Sequence, residues 1–214
     1  MKEIMNYLRK DEGSDIHYND GEKDITAGYG IYRYAHPDAR VFLVIDQIAL
    51  QLGVVYASSE WTTTVIKKVN SYIENNYDVK QEVYEATVEF YEDYLKRARL
   101  GLFPSECKVA MMSMFTNSEK GAWTAVQNTL LTLAKNGKLT IKLNELSGPD
   151  GAFGNKTRDG LADAQVNGVD PMYMETLMLL HMLDYYVELW FRNPSKYGKY
   201  LRGWKERMIR LSNA

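Results

Sequence analysis

Hydrophobic and polar positions follow two different rhythms along this chain. Met1, Ile4, Met5 and Leu8 recur at i, i+3, i+4, i+7 with charged residues between them, which predicts a helix over 1–11. Gly13 stands just past it, where a helix-ending glycine belongs. Over 14–38 the rhythm shortens. Small polar and aromatic residues alternate there, Gly21, Gly28 and Gly30 punctuate them, and Pro37 closes the stretch. This predicts a small hairpin or three-stranded sheet with Gly21 in a turn.

From residue 40 the helical period returns. Val41–Leu52 and Trp61–Ile73 carry apolar residues at helical spacing. Asp78, with Gln81 three residues on, predicts a capped start for the next helix. Val83, Ala86, Phe90, Tyr94 and Ala98 share a face of it, and Gly101 marks its end. Pro104 suits the first turn of a helix running to about Phe115. Further helices are expected from about Lys120 to Lys135, Asn155 to Gln165, Met172 to Phe191 and Tyr200 to Leu211, with a polar connection over 139–154. The stripe Met172, Leu179, Leu183 and Trp190 reads as core, and His181 as a packed histidine. The fold class is therefore α+β, mainly helical, with a small N-terminal β-hairpin and a helical lobe. Its expected parts are 1–100, with the hairpin at about 14–38, and a helical 101–214, joined in one compact unit.

Composition narrows the function classes. With 45% apolar and 25% charged residues in 214, the chain is neither disordered nor fibrous. Twenty-six basic against 28 acidic residues give a charge of -2, without the basic excess of a sequence-independent nucleic-acid binder. The single Cys107 rules out an internal disulfide and a cysteine zinc cage, and reads as a buried structural residue. His17, His36 and His181 are the only imidazoles, so no metal site is expected. The N-terminus has no apolar signal core, and the longest apolar stretch, Val41–Val55, is broken by Asp46, Gln47 and Gln51. The expectation is a product made in the cytoplasm without a signal peptide or membrane span.

The chemistry concentrates between 12 and 30. Glu12 sits at the end of the first helix, Asp20 near the start of the hairpin, and Thr26 on its return strand. A hairpin folded over the helix end would gather them in a shallow cleft. Glycoside hydrolysis needs such a set: one carboxyl protonated to donate to the leaving oxygen, and one ionised to stabilise positive charge or orient water. Glu12 is the candidate acid, Asp20 the second carboxylate, and Thr26 the hydroxyl that positions water. Tyr18, Gly28, Tyr29 and Tyr32 are the candidate substrate-binding residues, since aromatic faces stack on sugar rings.

The string Glu12-Gly13, Tyr18-x-Asp20, Thr26-x-Gly28-Tyr29-Gly30 resembles the active-site signature of phage-type lysozymes. The Glu12–Asp20 spacing is one residue shorter than that pattern, and Ile31-Tyr32 replaces its Gly-His, so Asp15 and Asp24 stand as alternatives to Asp20. The second half resembles glycoside hydrolase family 108. Phe115-Thr116-Asn117-Ser118, Ala125-Val126-Gln127 and Asp150-Gly151-x-x-Gly154-x-x-Thr157 carry that likeness, with Asn155 in place of a proline. So do Tyr186, Phe191, Pro194, Tyr197, Gly203-Trp204 and Arg207, while Ser14 takes the third place of the family's Glu-Gly-Gly motif. Residues 40–100 carry no such likeness.

These resemblances imply a lysozyme-like fold and an N-acetylmuramidase cutting the β-1,4 bond between N-acetylmuramic acid and N-acetylglucosamine. No cofactor is implied. The implied partner is the peptidoglycan glycan strand, reached in the periplasm or on the cell wall through a holin or secretion system, with an inhibitor or immunity protein as a further partner. Two alternatives stay open: a non-catalytic wall-binding or virion structural protein, and a lytic transglycosylase. Asp150-Gly151 reads as a structural turn before a binding one, and Arg202, Lys205, Arg207 and Arg210 as a solvated basic face.

Overall fold

The computed structural model describes residues 4–6, 9, 13–19, 24–54, 61–146 and 148–212. Three short strands, β1 (His17–Asn19), β2 (Asp24–Ala27) and β3 (Ile31–Tyr32), form an antiparallel sheet in that order. Helices follow as α1 (Arg40–Gln51), α2 (Thr63–Asn75), α3 (Tyr77–Arg97), α4 (Ser105–Asn117), α5 (Glu119–Lys135), α6 (Asn155–Val166), α7 (Pro171–Arg192) and α8 (Pro194–Leu211). The chain is mainly helical with one small N-terminal sheet, the α+β class expected. It divides into two compact units, Met1–Asp93 and Tyr94–Ala214.

In the first unit, Ile4 and Met5 are helical and buried; Met1 and Leu8 of the expected stripe lie outside the described residues, as does Gly21. The sheet and α1 supply about half of the unit's buried apolar residues. Val41, Phe42, Val44, Ile45, Ile48 and Ala49 form one face of α1, and each is buried. Arg33 is also buried, and its guanidinium is held by Asp46 at 2.6 Å with Phe42 and Trp61 rings 5.0 and 5.3 Å away. Such a group is tolerated inside only because its charge is paired. Burial pushes the Asp46 carboxyl above its ordinary value against the pull of Arg33.

In the second unit α5 is the central helix. Its buried residues run round most of its circumference, from Gly121 to Leu133. Gly121 lets α7 come close, since a Cβ there would lie 2.6 Å from the Tyr185 ring. The core is rich in methionine, with Met111, Met112, Met114, Met174, Met178 and Met182 all buried.

Several local expectations need correction. Asp78 does not cap α3: the helix begins at Tyr77, so Asp78 lies inside its first turn, and Gln81 bonds forward to Glu85. Gly101 does not end that helix either; α3 stops at Arg97, and Arg99 takes the left-handed turn. The last helix starts at Pro194 rather than Tyr200, because the Asn193 side chain caps it by accepting from the Lys196 N–H. On α7 the buried line is Met174, Met178, Met182 and Tyr186, at i, i+4, i+8, i+12, with Leu179 beside it. Met172 is exposed, and Leu183 and Trp190 are half-buried. Both stripes are apolar at helical spacing, so the neighbouring helices and not the period decide which one faces inward.

Candidate functional site

The register of the small sheet decides which hairpin residues share a face. Thr26 lies opposite His17 on β1 and Tyr32 on β3, so these three share one face. Tyr18 pairs with Ile25 and belongs to the other. Tyr18 and Tyr32 are exposed, whereas Thr26 is only 1% accessible. Its hydroxyl oxygen has no hydrogen-bond partner among the described residues. An unsatisfied buried hydroxyl costs about 1–3 kcal/mol, so such a group calls for a bound water or a functional role. Asp24 is half-buried and accepts the Ile25 N–H at 2.8 Å, and Asp15 is exposed. Glu12 and Asp20 lie outside the described residues.

The segment directly after position 12 is held from two sides. Gly13, at φ 79°, takes the left-handed conformation and donates to the Arg9 carbonyl at 3.0 Å. Its own carbonyl accepts the Tyr29 N–H at 2.7 Å. Gly28 passes so close that a Cβ there would lie 2.2 Å from the Ser14 carbonyl oxygen. Tyr29 adopts a left-handed conformation, φ 67°, rare for a residue with a side chain. The Tyr91 hydroxyl donates to its carbonyl at 2.5 Å. On the other side, Asn70 holds the Ile16 backbone: its amide donates to the Ile16 carbonyl at 2.8 Å and accepts the Ile16 N–H at 3.0 Å. Asn70 and Tyr91 gave no sequence signal, because each acts on backbone more than 50 residues away.

A cavity of about 300 Å³ opens beside this segment, lined by Arg9, Ser14 and Asp15 together with Gly28, Tyr29, Asn70, Tyr77 and Tyr84 among others. That volume lies at the small end for ligand pockets. Burial pushes the Tyr29 phenol up, with Arg9 opposing. Lys80 and Glu74 pair at 2.7 Å on its rim. Of the expected substrate-binding residues, Gly28 and Tyr29 line this cavity; Tyr18 and Tyr32 are not among the residues lining it.

In the second unit the Asp150-Gly151 turn is built onto α5 by Gln127, itself buried. The Gln127 amide donates to Asp150 at 2.7 Å and to the Ala152 carbonyl at 2.9 Å, and its oxygen accepts the Gly151 N–H at 2.9 Å. Gly151, at φ 75°, packs where a Cβ would meet Lys120 and Thr124 atoms within 3 Å. The Ala152 N–H and then the Gln127 amide hold the Asp150 carboxyl below its ordinary pKa. These bonds account for the Asp-Gly pair as a structural turn.

The α7–α8 corner carries a file of rings. Trp204 stacks on Tyr186 at 4.4 Å and on Tyr200 at 5.8 Å, with Tyr197 6.0 Å away. Lys196 and Lys199 place ammonium groups 5.1 and 4.8 Å from the Tyr197 and Tyr200 ring centres. Exposed cation–π contacts of this kind contribute about 0.5–1 kcal/mol. Of the expected basic face, Arg202 pairs with Glu206.

Residues 132–209 match the family model described as Predicted Peptidoglycan domain. The match runs from the end of α5 through α6 and α7 to the last turns of α8. It connects the chain to peptidoglycan at the level of a domain family, without distinguishing hydrolysis from binding. No curated protein and no solved structure matches the chain.

The remaining candidates fall outside these sites. Cys107 is buried, its thiol 3.4 Å from the Pro171 carbonyl, and desolvation pushes it up to about 12, so it is unreactive. His36 packs edge-on against Phe90 at 4.8 Å, and His181 meets the Thr132 hydroxyl at 3.0 Å. Among the described residues no three His, Cys, Asp or Glu side chains cluster as a metal site, and no helix is long and apolar enough to cross a membrane.

Proposed function

We propose that this protein is a peptidoglycan hydrolase, an N-acetylmuramidase in which Glu12 protonates the leaving oxygen of the β-1,4 bond. Asp20 stabilises the positive charge that develops on the sugar, and Thr26 holds the attacking water. The observation that carries this reading is the Thr26 hydroxyl: it is buried and unpartnered among the described residues at the position expected to hold water. The cavity supports it, since Arg9, Ser14 and Asp15 on either side of position 12 line it with Gly28 and Tyr29. The substrate class follows from the peptidoglycan family match. Delivery to the wall by a holin or secretion system belongs to the same proposal.

A second reading is a wall-binding protein without hydrolysis. What favours it is that the matched segment lies wholly within the second unit, whereas the carboxylates of the catalytic signature lie in the first. One experiment separates the two: soluble fragment release from purified peptidoglycan by wild type, Glu12→Gln and Thr26→Val. Release by wild type, with reducing muramic ends, and none by Glu12→Gln supports the muramidase. Fragments with 1,6-anhydro ends would instead make it a transglycosylase. Sedimentation with the wall but no release supports the binder.

A further inference from the structure

We infer that the ring file at the α7–α8 corner is a carbohydrate platform, which takes a stretch of glycan strand carrying carboxylates along Tyr197, Tyr200 and the edge of Trp204. The inference rests on the proposed link to peptidoglycan and not on hydrolysis. Tyr197, Tyr200 and Trp204 stand at i, i+3 and i+7 on α8, so their rings follow one another along a single helix face. Trp204 is gripped between Tyr186 and Tyr200, which fixes the plane of the file. Tyr200 is 42% exposed, and Phe191, near the end of α7, 70%. Each packs on one neighbouring ring, Tyr200 on Trp204 and Phe191 on Trp190, and keeps the rest of its surface in solvent.

The chemistry of this face selects its occupant. From Ser195 to Arg207 the only aliphatic residue is the half-buried Leu201, and the exposed aliphatics of α7 and α8, Leu180 and Ile209, lie outside that stretch. Flat rings with hydroxyl tips suit the apolar faces and hydroxyl rims of sugars. The two lysines sit over Tyr197 and Tyr200. A bound strand takes the ring faces, and the displaced ammonium groups swing on their flexible stems to pair with its carboxylates. The whole platform lies inside the segment matching the peptidoglycan family.

The test uses the full chain in two assays: sedimentation with insoluble peptidoglycan, and tryptophan fluorescence on titration with the uncharged N-acetylglucosamine tetramer. Tyr197→Ala and Tyr200→Ala are each expected to weaken both by on the order of tenfold, and Tyr200→Phe, which keeps the ring, to weaken them less. Lys196→Ser with Lys199→Ser should weaken peptidoglycan binding while sparing the tetramer. Thermal melting checks that each variant is folded. Wild-type sedimentation by the folded tyrosine variants overturns the inference. Loss of fragment release with sedimentation intact bears on the proposed hydrolysis, whereas loss of sedimentation in the tyrosine variants bears on the platform.

Discussion

The side-chain amide of Asn70 makes to the Ile16 backbone the two hydrogen bonds that a neighbouring strand would make. A side chain on α2 thereby completes the edge of the segment that follows position 12, and the Gly13–Tyr29 hydrogen bond closes the other side. Asn70→Ala strands both the N–H and the C=O of a buried residue. Denaturant unfolding is expected to show a loss of about 1–3 kcal/mol. The Ile16 amide should also exchange its hydrogen much faster. An unchanged exchange rate would mean that the clamp carries no weight.

Gly28 is expected to tolerate no side chain. A Cβ at 2.2 Å from the Ser14 oxygen must push the hairpin away from the Ser14 backbone. Gly28→Ala should destabilise by at least the 1–3 kcal/mol typical of overpacking. If the cavity binds substrate, glycan release should fall further than stability explains. Gly53→Ala, a control at a glycine with open space around it but also with positive φ, should cost only its backbone strain.

Gln127 holds its turn through bonds from both ends of one amide. Gln127→Leu keeps the volume and leaves the Gly151 N–H and Ala152 carbonyl without those partners. A loss of about 2 kcal/mol or more is expected for the unit, read as a lower melting temperature. Gln127→Glu should be worse than its size suggests, since the added oxygen would face the Asp150 carboxylate and the Ala152 carbonyl.

The same turn gives a pH dependence with a definite sign. The folded Asp150 carboxyl lies below its unfolded value of about 3.9. Its contribution is complete above that value and is lost as pH falls through the lower, folded one. Wild type should therefore lose stability below about pH 4, and Asp150→Asn should flatten part of that slope. A melting curve series from neutral to acidic pH for both proteins reads the difference.

The sequence was most informative where local rules decide. Gly13 has the left-handed conformation that favours glycine, and Gly28 stands where the backbone of Ser14 comes closest. The sheet followed from the short period and the glycines. The orientation of α7 was hidden, since the exposed Met172 and the buried Met174 are equally apolar. The start of α8 was missed by six residues, although Asn193-Pro194 is a legible cap and first-turn pair. The clamps by Asn70, Tyr91 and Gln127 were not legible at all. Each is an ordinary polar residue on a helix whose partner is a distant stretch of backbone, and neither spacing nor composition records that meeting.

The methionines of the second unit have a consequence outside structure and binding. Met111, Met112, Met114, Met174, Met178 and Met182 are sealed from solvent while Met172, only two residues from Met174, stands 69% exposed. Peroxide converts a thioether to the polar sulfoxide wherever it can reach the sulfur. In the folded protein Met172 should therefore oxidise first, and the six should follow only in molecules that have opened. A sulfoxide inside that core cannot be repacked, so each opening under oxidant becomes permanent. Peptide mass spectra would then record, residue by residue, how often the helices have come apart.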